Sequence, residues 1–332
     1  IMNGKEKIIA ALSPSGTSEI PAVLCYEGIY LRDHWNQILQ FPWWYHNIPD
    51  IDIHVDWRTR FIENTEQDWY YLPECETRDN RQNQIIVQRD GKVFLLDKKT
   101  NAVTYLEEPV IGGWSRDKNV QSVHPTILPE SPNEIDKMLP SPPVFDKTAF
   151  VDSGRTDLAN KMLTGKGSKY FPIRHVVGPL WDCYHLWGFE EWMVKIASEP
   201  ELVHYASQRE LELALYDVRV SSALGTEGIW IEDCLVDMIS RKAYQSINLP
   251  LIQTLVEEIH SLGMKCIYYY CGDPNGKMDL LLESGADALS FEESKKGFLI
   301  DIADIATYVN GRCCLLGNLD AIHILPDASE SD

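Results

Sequence analysis

Four times in the second half of this chain a helical stretch closes on glycine, a short apolar run follows, and the run empties into polar residues. Gly225-Thr226-Glu227-Gly228 leads into Ile229-Trp230-Ile231, then Glu232-Asp233. Gly263-Met264-Lys265 leads into Cys266–Tyr270, then Cys271-Gly272-Asp273. Gly285-Ala286-Asp287 leads into Ala288–Phe291, then Glu292-Glu293, and Gly311-Arg312 leads into Cys313–Leu316, then Gly317-Asn318-Leu319-Asp320. Glycine ends a helix by adopting a left-handed conformation that other residues avoid. A run that is apolar at every position is covered on both faces, as strands of a parallel sheet are. Between the runs, Leu251, Leu255, Ile259 and Leu262 recur at helical spacing. Strand and helix in alternation give right-handed βαβ units and a parallel sheet.

The first half is less regular. Residues 2–12 predict a short amphipathic helix, and Pro21–Tyr26 reads as an opening strand. Ile85–Leu96 reads as a β-hairpin turning at Asp90-Gly91, with Val103–Leu106 as a third strand, so residues 82–106 form a small antiparallel excursion. Pro125–Pro143 holds six prolines and predicts a surface connection with one helical turn at 133–139. Helices are expected over 188–198 and 200–224. Barrel strands are expected near 21–26, 172–177, 228–232, 265–270, 287–291 and 312–316. The expected fold is α/β, a (β/α)8 TIM barrel over residues 1–332 as a single domain, with an insertion at about 27–145. Eight strands close such a barrel and six are read, so the pattern also predicts a C-terminal truncation that omits a final strand and helix. An open doubly wound sheet is the alternative.

With 30 basic and 50 acidic side chains, the formal net charge is −20. That surface repels polyanions, which argues against nucleic-acid binding and against docking on an anionic membrane. No window reaches transmembrane length, and the N-terminal helix lacks the apolar core of a signal peptide. The eight cysteines contain no C-x-x-C pair and several lie in apolar runs, which fits reduced thiols and a cytoplasmic location.

Ile231-Glu232-Asp233, the helix ending Glu258–Gly263, Tyr270-Cys271-Gly272, Gly285–Ala288 and Gly317–Asp320 together resemble the uroporphyrinogen decarboxylase superfamily. The resemblance covers about residues 2–25 and 170–325. It implies a barrel with its site at the strand C-terminal ends. It also implies one of two chemistries, cofactor-free decarboxylation of porphyrinogens or zinc-dependent methyl transfer to or from a corrinoid. Both patterns are altered here. The Arg-Gln-Ala-Gly-Arg signature of the decarboxylases is replaced by Tyr26-Glu27-Gly28-Ile29-Tyr30-Leu31-Arg32-Asp33-His34-Trp35. The His-x-Cys-Gly motif of the methyltransferases reads Tyr269-Tyr270-Cys271-Gly272.

The strand ends gather a carboxylate-rich set with a thiol and an imidazole, suited to cation binding or acid–base work. Glu232, His34, Asp33 and Tyr269 are the candidate catalytic groups. Tyr26, Arg32, Trp43, Trp44, Glu292, Asn318 and Asp320 are the candidate substrate contacts. The resemblance marks Cys271 as a zinc thiolate, with Glu232 as a second ligand; a small buried residue before a turn is the plainer reading of Cys271. His260 fits a structural histidine. Trp35, Phe41, Trp43, Trp44 and Tyr45 form either a lid over a planar or methylated ligand or a cluster that pins the insertion. Three functions follow: methyl transfer between a small substrate and a corrinoid protein, cofactor-free decarboxylation, and a non-catalytic ligand-binding barrel. Cys271, Glu232, Asp33 and His34 are expected to converge on one pocket.

Overall fold

A computed structural model describes residues 2–110, 123–294, 297–320, 324 and 329. Nine strands lie among them: β1 (Trp69–Tyr71), β2 (Gln84–Arg89), β3 (Lys92–Asp97), β4 (Val103–Leu106), β5 (Phe171–Val177), β6 (Gly228–Asp233), β7 (Lys265–Tyr270), β8 (Ala288–Phe291) and β9 (Cys314–Leu316). Six form one sheet in the order β1-β5-β6-β7-β8-β9, every pair parallel. Spatial order follows chain order without a reversal, so the sheet is wound in one direction only. A doubly wound sheet reverses its order at a switch point, and this one does not. The six strands are a wall of the TIM barrel.

Side-chain alternation sorts this wall into an inside and an outside. Trp69, Phe171, Ile173, Trp230, Ile267, Tyr269 and Ala288 share one buried cluster, the barrel interior. Val176, Ile229, Ile231, Cys266, Tyr268, Tyr270, Leu289 and Phe291 face the other way and pack with the helices Pro200–Leu224 and Leu249–Ser261. The helix Gly4–Ala11, capped by Asn3 and Glu6, puts Ile8 and Leu12 into the interior cluster. It is held there by Lys5 to Glu227, just before β6, and Lys7 to Asp68, just before β1. Both anchors lie at strand N-termini, so the helix plugs that end and leaves the C-terminal end open.

The strands expected at 172–177, 228–232, 265–270, 287–291 and 312–316 lie within two residues of β5 through β9 at every boundary. The opening strand at 21–26 is a correction: residues 20–24 carry no regular structure and 25–26 are a turn. Ala22 instead exchanges two hydrogen bonds with Asp68, its N–H to the carboxylate and its carbonyl from the main-chain N–H, both at 2.8 Å. It thus flanks the start of β1 without making a ladder. The first ladder strand is β1, three aromatic residues cut off by Leu72-Pro73 and too short to stand out as a periodic run.

The excursion is a separate antiparallel sheet, β2-β3-β4. Asp90 and Gly91 both take positive φ, 51° and 72°, the pairing a two-residue hairpin turn requires. The short helix in the proline-rich connection spans Pro132–Met138. Among the described residues no helix is long and apolar enough to cross a membrane.

Ile229 is fully buried on the outer face of β6, whereas Val103 on β4 is 56% exposed. Urea denaturation is expected to show a loss of about 2–5 kcal/mol for Ile229→Ala and less than about 0.5 kcal/mol for Val103→Ala.

Candidate functional site

Parallel strands all release their chains at the same end, so inward residues near the ends of β5–β8 meet at one mouth. Inward positions recur every second residue: Phe171, Ile173 and His175 on β5, Trp230 and Glu232 on β6, Ile267 and Tyr269 on β7, Ala288 and Ser290 on β8. Registers pair His175 with Trp230, Glu232 with Tyr269, and Tyr269 with Ser290. Cys234, Cys271 and Glu292 continue this face just past the strand ends.

Contacts knit these groups together. The Tyr26 phenol donates to Glu232 Oε1 at 3.0 Å, and the Cys234 thiol points at the same oxygen at 3.8 Å. Across the mouth, Cys271 Sγ donates to Glu292 Oε2 at 3.2 Å and Tyr269 Oη to that oxygen at 3.4 Å. Tyr26 and Tyr269 meet edge to face, centroids 6.3 Å apart. Below them Trp230 packs on Tyr269 at 5.1 Å and stacks on His175 at 5.9 Å, and His175 meets Tyr71 at 5.8 Å. The mouth is therefore two carboxylates, two phenols and two thiols on an aromatic floor.

The environment sets protonation. Burial pushes the Glu232 carboxyl above the usual range, against the hydrogen bonds from Tyr26 and Cys234, which favour its charge. Burial, then the Glu232 and Cys234 charges, push the Tyr26 phenol up, and burial does the same to Tyr269. Both phenols stay neutral donors. Burial and the adjacent Arg174 lower His175 to about 4, so the imidazole on the floor is neutral. Asp233 points outward from β6 and is wholly buried, accepting from Tyr268 Oη at 2.6 Å and Asn248 Nδ2 at 2.7 Å. It braces the strand end that carries Glu232. The turn after β7 is fixed by Gly272, whose φ is +124° and where a Cβ would lie 2.2 Å from the Asp237 carboxylate. Only glycine lets Cys271 enter this turn so close to Asp237.

The anticipated residues divide. Tyr26, Glu232, Tyr269, Cys271 and Glu292 come together. Asp33 and His34 do not join them, which corrects the expected convergence. Both lie on the helix Glu27–Ile38. Arg32 forks onto Asp33 through Nε at 2.6 Å and Nη2 at 3.0 Å, and His34 Nδ1 pairs with Gln37 at 2.6 Å on an exposed face. The backbone there is helical, so side chains fan around an axis instead of following the wall. Arg32, Asp33, Trp35 and Trp43 line a separate cavity of about 320 Å³, none of whose lining residues belongs to a strand. Trp43 packs with Leu31, Trp35, Trp57 and Phe61, and Trp44 meets Trp43 edge to face. Trp35 and Trp43 belong both to this aromatic cluster and to the cavity lining. Asn318 Nδ2 donates to the Ile300 carbonyl, and the Asp320 carbonyl accepts from Ile324 N–H. His260 pairs with Asp287 at 2.8 Å. Cys234 and His175 escaped the sequence reading, although the alternation 230, 232, 234 and 171, 173, 175 points to both.

Zinc needs at least three converging donors in addition to an open position. Among the described residues no three His, Cys, Asp or Glu side chains are grouped to hold a metal ion. At the position of the family histidine stands the neutral phenol of Tyr269. The described donor set does not fit zinc.

The model of the family described as uroporphyrinogen decarboxylase (URO-D) matches residues 162–332, just over half of the chain. No curated protein sequence matches it. Among solved structures, a methyltransferase from Methanosarcina mazei is 15% identical, with a TM-score of 0.61 over 98% of this chain and 85% of its own; this likeness is one of fold. The C-terminal domain of a candidate chitinase from Desulfitobacterium hafniense DCB-2 reaches a TM-score of only 0.29, at 12% identity over 47% of this chain and 46% of that one, and supports no argument.

Glu27 opens the helix behind Tyr26 and is buried, accepting from Gln67 Nε2 and Tyr71 N–H, both at 3.2 Å. Burial pushes its carboxyl from 4.5 up to about 7, against Tyr71, Arg58 and Gln67. Between those values the folded chain keeps a proton that the unfolded chain has released, so this group's contribution to stability falls as pH rises through the window. Unfolding free energies from urea titrations are expected to decline over that range by on the order of 3 kcal/mol more in the wild type than in Glu27→Gln.

Proposed function

The chain belongs to the uroporphyrinogen decarboxylase family, and from that premise we propose that it is a methyltransferase, moving a methyl group between a small substrate and a corrinoid protein. The observation that carries this reading is the chemistry of the mouth. Carboxylates, phenols and thiols meet there, and Arg32, the one arginine in the segment that replaces the family's arginine signature, is taken up by Asp33. A decarboxylase for a polycarboxylate needs guanidinium or ammonium groups to hold its substrate. The described carboxylates of this mouth favour a neutral or cationic substrate over a polyanion.

The corrinoid, carried by its own protein, would supply the centre that takes or gives the methyl group; the open end of the barrel is where it would dock. The chain's own residues bind, orient and move a proton. The aromatic floor of Trp230, His175 and Tyr269 gives an apolar seat for the methyl-bearing part of a substrate and excludes water. Glu232, whose burial keeps a proton on it further up the pH scale than an ordinary glutamate, would give that proton to the heteroatom that loses the methyl. Tyr26 holds the Glu232 carboxyl in one orientation. Glu292, which accepts from Cys271 and Tyr269, is the second carboxylate of the mouth. No step is assigned to zinc.

An anaerobic assay with free cob(I)alamin as the acceptor and a panel of methoxyarenes, methylamines and methyl thioethers tests the proposal. The expected outcome is the absorbance of methylcobalamin with at least one donor class. Glu232→Gln is expected to lower that rate about 10²- to 10⁴-fold. In the wild type the rate falls as pH rises through the raised range in which Glu232 loses its proton. Release of carbon dioxide from a carboxylated substrate, with no methylcobalamin from any donor, would overturn the proposal in favour of decarboxylation.

A further inference from the structure

Cys234 and Cys271 stand side by side on neighbouring strands. The β6–β7 ladder ends with Asp233 opposite Tyr270, and Cys271 N–H donates to the Asp233 carbonyl at 3.1 Å, so its register carries on by one residue. Cys234 follows Trp230 and Glu232 on the inward face, and Cys271 follows Ile267 and Tyr269 on the same face. Each thiol points at one carboxylate of the mouth, Cys234 at Glu232 and Cys271 at Glu292. Both are free and partly exposed. Neighbouring strands run about 4.8 Å apart, inside the range of about 4.4–6.8 Å between Cα atoms that a disulfide spans.

We propose that Cys234 and Cys271 are an oxidisable dithiol, a modification site at the barrel mouth that closes into an intramolecular disulfide when a hydroperoxide or a small disulfide is present. With a hydroperoxide, one sulfur attacks the O–O bond and becomes a sulfenic acid, releasing water or an alcohol. The second sulfur then displaces the hydroxyl, which leaves as water with the second thiol proton. Each sulfur gives up one electron and the peroxide bond accepts both. The neighbouring thiol lies in reach before the sulfenic acid can oxidise further, which directs the reaction to the reversible product. Closing the bond turns Cys234 away from Glu232 and Cys271 away from Glu292 and puts a covalent bar across the mouth. The bar lies at the partly exposed mouth, where a dithiol reductant reaches it and reopens it.

The inference stands apart from the methyl-transfer reading, and its test needs no activity. The folded wild-type chain is treated with hydrogen peroxide or diamide, the remaining thiols are blocked, and proteolytic peptides are read by mass spectrometry. The expected result is loss of two hydrogens, a link joining the peptides of Cys234 and Cys271, and full reversal by dithiothreitol. The same treatment in urea should give a mixture of pairings, because only the folded wall sets these two thiols side by side. Both thiols remaining open to alkylation after oxidation would overturn the proposal. So would a predominant link from either of them to Cys25, which packs against the same interior cluster, or accumulation of sulfinic acid at either position.

Discussion

Everything in this protein that bears on chemistry depends on one geometrical constraint: strands buried on both faces alternate their side chains between a ring of helices and a shared interior. From β5 to β8 the outward positions are filled with Val176, Ile229, Ile231, Tyr268 and Leu289, which seat the helices. That leaves the inward positions to specify the interior, and at the lower levels they are bulky: Trp69, Phe171, Trp230 and Ile267. Burying each such side chain is worth about 1.5–3 kcal/mol. The lower interior is therefore packed solid, and polar inward residues are tolerated only where the strands end and the chain meets solvent.

The same constraint explains the electrostatics. Glu232 and Glu292 sit one step above an aromatic layer, in an environment poor in water. The described partners of Glu232 are weak neutral donors, the Tyr26 phenol and the Cys234 thiol. At the plugged end Lys5 and Lys7 pair with Glu227 and Asp68, and Lys265 pairs with Asp287 at the start of β7.

The wall was legible in the sequence because its information is local. Glycine before, apolar run, polar residue after is a pattern carried by each unit alone, and five of the six parallel strands follow from it or from the run at Phe171–Val177. β1 is hidden because three residues are too few for a period, and the composition of Pro21–Tyr26 suits a strand although Ala22 meets Asp68 and no ladder partner. The site divides in the same way. Glu232, Tyr269, Cys271 and Glu292 lie at strand ends and inherit their direction from the alternation. Asp33 and His34 lie on a helix, where direction depends on the rotation of the helix about its axis. No short pattern reports that angle, and Arg32 and Gln37, their actual partners, became visible only in three dimensions.

The helix Gly4–Ala11 comes early in the chain, while its seat is made by residues that come much later. Ile8 and Leu12 pack among Phe171, Ile173, Trp230 and Ala288, and Lys5 reaches Glu227 across 222 positions of sequence. During synthesis the plug is ready long before the socket exists. For that interval its apolar face has no native partner, and a contact so distant in sequence forms late because loop closure must come first. The segment that plugs this end of the wall is thus made well before the strands that bury it.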